Sequence, residues 1–251
     1  MHRMKHVVHS LVGGCVTGRK FSITYGGRRR LSCIIKGTVL MIEGDTMKDM
    51  IHYIAMLPAI AIAISIFNYA QAKMAIHLGD TTPRQWGRDT INPFAHIDLL
   101  GILVMLIASV GWSKPIPFSP YHFKNPRTGM IQIALAGLGA NILVAFLAYA
   151  GMSVAMQVST VSTGLQMVMS YIVTLCIGFG VFNMLPVPGF IGFYVLLQYL
   201  PYEWQEKLLG AQLWFFIGIL VLGQFGFLGA IIRPVFAVIL GIFESIVQLI
   251  L

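Results

Sequence analysis

Charge is what this sequence lacks. Only 10% of its 251 residues are Asp, Glu, Lys or Arg, against about 25% in soluble domains. The deficit is concentrated in runs: 51–72, 99–113, 128–202 and 208–232 contain none of the four. A helix crosses a bilayer with about 20 apolar residues, so this pattern excludes a water-soluble globular domain. It predicts an all-α polytopic membrane protein, because lipid forces each spanning segment to satisfy its own backbone. Cysteine is scarce as well. Cys15, Cys33 and Cys176 form no C-x-x-C pair and no disulfide framework, and Cys176, inside an apolar run, reads as a small packing residue. No internal repeat is visible.

The basic excess is uneven. Residues 1–46 hold eight Lys or Arg against Glu43 and Asp45, which accounts for most of the net charge of +8. Basic residues beside a membrane domain are attracted to anionic lipid by about 1 kcal/mol each, so a bilayer partner is expected and nucleic acid is not. The tail reads equally well as disordered or as an upstream extension ahead of Met47. Within it, 32–41 suits a short strand or an interfacial segment.

After the tail, residues 47–251 divide into apolar helices separated by polar, proline-containing stretches. A first crossing is expected from about Met50 to His77, with Pro58 inside it and Gly79 as its terminator. The turn residues between Asp80 and Asp98 predict a hairpin or extended loop at the membrane surface. Ile97 to Trp112 is short for a full span. Lys114-Pro115-Ile116-Pro117-Phe118 is expected to be extended, with Trp112, Tyr121 and Phe123 at the water–lipid boundary. Helices follow over about 128–156 and 165–185. The second of these is broken by Pro186 and Pro188, and a short helix runs from Phe190 to Leu200. A solvent-facing turn is expected at Glu203–Lys207, then apolar helices over 208–223 and 226–251, about five to six membrane segments in all.

Several short blocks then recur in one order. They are Leu78-Gly79-Asp80, Thr82-Pro83-Arg84, Gly87-Arg88, Thr90-Ile91-Asn92-Pro93 and His96-Ile97-Asp98, followed by Gly101. Gly111, Trp112, Lys114, Pro115 and Pro117 come next, then Asn125-Pro126-Arg127, Gly129-Met130 and Ala136-Gly137 through Asn141. The series ends with Phe182-Asn183-Met184-Leu185-Pro186-Val187-Pro188. In this order and spacing the chain resembles the compact bacterial branch of the site-2 protease family of intramembrane zinc metalloproteases, over about Met47 to Leu251.

The resemblance implies a zinc helix reading His-Glu-x-x-His, two imidazoles on one face with a Glu as general base. Here those three positions hold Phe67, Asn68 and Gln71, and the third ligand, an Asp of a Leu-Asp-Gly run, corresponds to Ile191 in Phe190-Ile191-Gly192. A phenyl ring cannot coordinate a metal, a carboxamide takes no proton at neutral pH, and Gln is a poor zinc ligand. No catalytic residue, metal ligand or cofactor is therefore expected. Phe67 and Ile191 are expected to meet and fill the vacated metal cavity. Gly137-Leu138 also departs from the family's Gly-Pro pair.

Of the remaining polar groups, Asn141, Asn183 and Gln71 are candidates to bind a peptide backbone in a groove. The bland alternative is hydrogen bonding between helices. The resemblance places Asn141 near the stretch where a substrate strand pairs. His52, His77, His96 and His122 are the histidines outside the tail; His77 and His96 flank one loop without an acidic partner at helical spacing, and no new metal site is expected. The leading expectation is a pseudoprotease of the bacterial cytoplasmic membrane that binds a transmembrane or membrane-proximal polypeptide without cutting it. Its competitors are an active zinc protease with non-standard ligands and a structural subunit of a membrane complex.

Overall fold

The computed structural model describes residues 21–24, 30–33, 46–99, 101–103, 112–224 and 227–250. In the tail, β1 (Phe21–Thr24) pairs antiparallel with β2 (Arg30–Cys33), Phe21 opposite Cys33. The strand or interfacial segment expected over 32–41 overlaps β2 only at its start; the rest lies outside the described residues.

The membrane part begins with α1 (Thr46–His77), which runs through Pro58. It stops where Gly79 takes φ +105° and the Asp80 N–H bonds back to the Ala75 carbonyl, a left-handed turn that glycine adopts without penalty. Two helical turns follow, α2 (Thr82–Gln85) and α3 (Pro93–His96). The hairpin or extended loop expected over 80–98 is thus a loop that carries two short helical turns and no strand pairing among the described residues. Pro83 and Pro93 sit in the first helical positions, where a missing N–H costs nothing, and the Asn92 side chain caps the Phe94 N–H. Most of the short apolar piece 97–112 lies outside the described residues.

After the irregular stretch 112–119 and a 3-10 turn at Pro120–His122, α4 (Pro126–Val158) starts on an Asn125 cap that accepts from the Arg127 and Thr128 N–H groups. Ser162 caps α5 (Thr163–Asn183), and α6 (Ile191–Leu197) follows the proline-rich break. The turn expected at 203–207 is instead part of α7 (Tyr202–Gly210), because Glu203 to Lys207 are good helix formers behind Pro201. The helix boundary expected at Leu208 moves with it: α8 is Gln212–Gln224, and α9 is Phe227–Ile250.

Four of the described helices are long and apolar enough to cross a membrane: the α1 stretch Ile51–His77, α4, α5 and the α9 stretch Ile232–Ile250. At 13 residues, α8 is about 20 Å long, short of the roughly 30 Å hydrocarbon core. The protein is an all-α polytopic membrane protein, with its core where α1, α4 and α5 pack together. The buried stripe of α1 is Ala59, Ile60, Ala63, Ile64, Phe67 and Ala75. These positions recur at intervals of one or two turns (59/60, 63/64, 67, 75), so they share one face, turned to the other two helices. The alanines let backbones approach closely, which matters in lipid because no hydrophobic force drives helices together there. Phe123, expected at the membrane boundary, is buried in this core against the start of α4, while Tyr121 is almost wholly exposed.

Candidate functional site

The segment that carries the expected zinc positions lies at the centre of the three-helix core. Phe67 is 1% exposed. Its ring stands edge-on to Phe179 of α5, centroids 5.4 Å apart, an arrangement that suits the ring quadrupoles. On its other side is Gly137 of α4. A Cβ at 137 would fall 2.9 Å from Phe67 Cε2 and 2.9 Å from Gln71 Cγ, so only glycine leaves room for both side chains. Replacing Gly137 with Ala is expected to destabilise the fold by about 1–3 kcal/mol, read as earlier thermal unfolding in detergent. The cost should shrink when Phe67 is also Ala.

The other candidates distribute around this junction. Asn68, one residue on and equally buried, turns to a different neighbour: its Nδ2 donates to Ser113 Oγ at 3.0 Å. Gln71 is buried, and its Nε2 has no partner among the described residues. Asn141 of α4 is fully buried; its Nδ2 donates to the Cys176 carbonyl of α5 at 3.2 Å, while its Oδ1 has no partner among the described residues. Gly137 thus has Gln71 against it and Asn141 one turn further along its own face. Ile191 belongs to the same buried cluster as Phe67, although α6, which carries it, packs chiefly against α4. Asn183 is not brought to the junction by any bond. Its Nδ2 donates to the Phe179 carbonyl in its own helix at 2.8 Å. Among the described residues, no group of three His, Cys, Asp or Glu is placed to hold a metal ion.

Over 169 residues the chain is 31% identical to "Putative zinc metalloprotease YwhC" of Bacillus subtilis (strain 168), a match covering 64% of this chain and 76% of that protein. The chain belongs to that family, a site-2-protease-like one. No family model matches it, and no solved structure resembles it closely enough to count as a match.

A second polar cluster in this site-2-protease-like chain was not singled out from the sequence. Asp80, fully buried at the end of α1, accepts from the Ser119 N–H at 2.7 Å, from His122 Nδ1 at 3.0 Å, and from the backbone and hydroxyl of Thr82. Burial pushes its carboxyl up, but these donors, the Ser119 amide foremost, outweigh it and hold the group below the usual carboxylate range. Its position in Leu78-Gly79-Asp80 marked it as part of a block; its partners, about 40 residues away, left no local pattern to read.

His96 is also fully buried, and its Nε2–H donates to the Thr90 carbonyl at 2.7 Å. Burial pushes its imidazole down, and nearby Arg88 adds to this. Its bond to Thr90 pins the loop between α2 and α3. On the surface beside it, Lys73 of α1 pairs with Asp89 at 2.6 Å.

Proposed function

We propose that the chain is a catalytically degenerate relative of the site-2 zinc metalloproteases, embedded in the bacterial cytoplasmic membrane, that binds a membrane polypeptide without cleaving it. The observation that carries this reading is the state of residues 67–71. Catalytic zinc needs three strong protein ligands and a water whose pKa it lowers to about 7. At these positions stand an aromatic ring packed between Phe179 and Gly137, an amide bonded to Ser113, and one glutamine. This donor set does not fit zinc, and Asn68 cannot take a proton from water. Ile191, buried in the same cluster, supplies no oxygen. No catalytic step is derived through a metal.

The binding half of the proposal rests on polar groups that the closed bundle leaves unused. Gln71 Nε2 is a donor and Asn141 Oδ1 an acceptor, both buried and without partners among the described residues. Leaving a buried polar group unpaired costs about 1–3 kcal/mol. A peptide amide offers both missing halves, a carbonyl for Gln71 and an N–H for Asn141. The basic residues 1–46 are proposed to lie outside this membrane domain, against anionic lipid.

The test is zinc content and peptidase activity of the purified chain, beside a version carrying Phe67→His, Asn68→Glu, Gln71→His and Ile191→Asp. The native chain is expected to hold no stoichiometric zinc and to show no chelator-sensitive hydrolysis of a transmembrane peptide. Stoichiometric zinc in the native chain, lost on Gln71→Ala or His96→Ala, would restore the enzyme reading.

A further inference from the structure

The pairing of Asn68 with Ser113 joins two segments that chain order does not. Residues 112–119 have no regular secondary structure and are held at both ends. Near one end, Ser113 Oγ accepts from Asn68 Nδ2 at 3.0 Å, and the Lys114 N–H donates to the His96 carbonyl at 2.9 Å. At the other, the Ser119 N–H and the His122 ring are held by Asp80. The segment is thus tied to α1 at Asn68 and, just past the end of that helix, to Asp80. Pro115 and Pro117 stiffen it and lack N–H groups that would need partners. Ile116, between them, is 7% exposed.

The two attachments differ in strength. The Asp80 end is a buried carboxylate taking several charge-assisted bonds, each about twice as strong as a neutral one. The Asn68 end is one neutral side-chain bond and one backbone bond. We infer that 112–119 is a strap, anchored at Asp80 and latched by Asn68 and Ser113, and that it opens from the latch end. Position 68, where the family resemblance puts the general base, has on this inference become a fastening. Ser65, one turn before Asn68 on the side away from Asp80, is buried, and its hydroxyl has no partner among the described residues. This inference does not depend on whether the core binds a polypeptide.

The test uses the full chain in detergent, with Cys15→Ser, Cys33→Ser, Cys176→Ala and Ile116→Cys, and follows the rate of reaction with N-ethylmaleimide. Asn68→Ala is expected to raise that rate roughly 2- to 10-fold, the weight of one neutral hydrogen bond. Adding Ser113→Ala should raise it no further, since both substitutions remove the same bond. A cysteine placed instead at buried Ile133 of α4 should not respond to Asn68→Ala. In a second arm, Asn68→Cys and Ser113→Cys oxidised to a disulfide should slow labelling at 116 below the parent rate. A rate unchanged by Asn68→Ala, effects of the two alanines that multiply, an equal rise at position 133, or a crosslinked chain labelled as fast as its parent would each overturn the strap.

Discussion

Phe67→Ala is expected to destabilise the folded chain by about 2–3 kcal/mol, among the largest effects of any single side chain. The usual cost of emptying a buried phenylalanine site is about 3–5 kcal/mol. Part of that figure is transfer from water, which counts for less here because lipid tails are themselves apolar. What remains is lost dispersion and the cavity. The ring loses its edge contact to Phe179 and its seat on Gly137, and neighbours held in three packed helices cannot close the gap. Phe67→Leu should recover most of the loss. The check is unfolding by heat or denaturing detergent. An alanine variant as stable as the parent would mean that the ring fills nothing, and would remove the packing argument against metal at this position.

Asp80→Ala should cost about 2–4 kcal/mol for a different reason. The substitution strips a partner from the Thr82 and Ser119 N–H groups at once, and breaking a buried, charge-assisted cluster leaves its donors unsatisfied. The lower part of the range applies because His122 is half exposed and can turn to water. The same carboxylate predicts a pH dependence. Its folded pKa is depressed, so its contribution is complete above the unfolded value of about 4. That contribution is lost as pH falls through the folded value. Acid unfolding should therefore be less steep in Asp80→Asn than in the parent, both followed by tryptophan fluorescence. Identical acid profiles would show that Asp80 is not the group holding the loop.

Much of the membrane architecture was legible in the residues, because lipid permits few solutions. The charge-free run 51–72 located α1, and the helices expected over about 128–156 and 165–185 are α4 and α5 to within a few residues, with the Asn125 cap starting α4 two residues early. The loops were less legible. The turn residues of 80–98 point to a hairpin or extended loop, yet Pro83 and Pro93 open helical turns as readily as they end them. Glu203 to Lys207 were read as a turn for their polarity, although polarity says nothing against a surface helix. In the candidate site, chain order and the family resemblance identified Phe67, Asn68, Gln71 and Ile191, but not what they touch. The Asn68–Ser113 and Asp80–His122 bonds depend on loop placement, which no periodicity encodes. Asn183 shows the converse: a carboxamide at the end of a membrane helix finds a partner four residues back, and sequence alone does not tell that from a free one.

The length of α4 has a mechanical consequence. Its 33 residues make a rod of about 50 Å, while α5 beside it has 21 and matches the roughly 30 Å of hydrocarbon. Even a 40° lean, at the limit for spanning helices, leaves several ångströms of α4 outside the oil. Arg127 sits on its first turn, with the guanidinium over the Tyr199 ring, as expected of a spar whose foot stands among lipid headgroups.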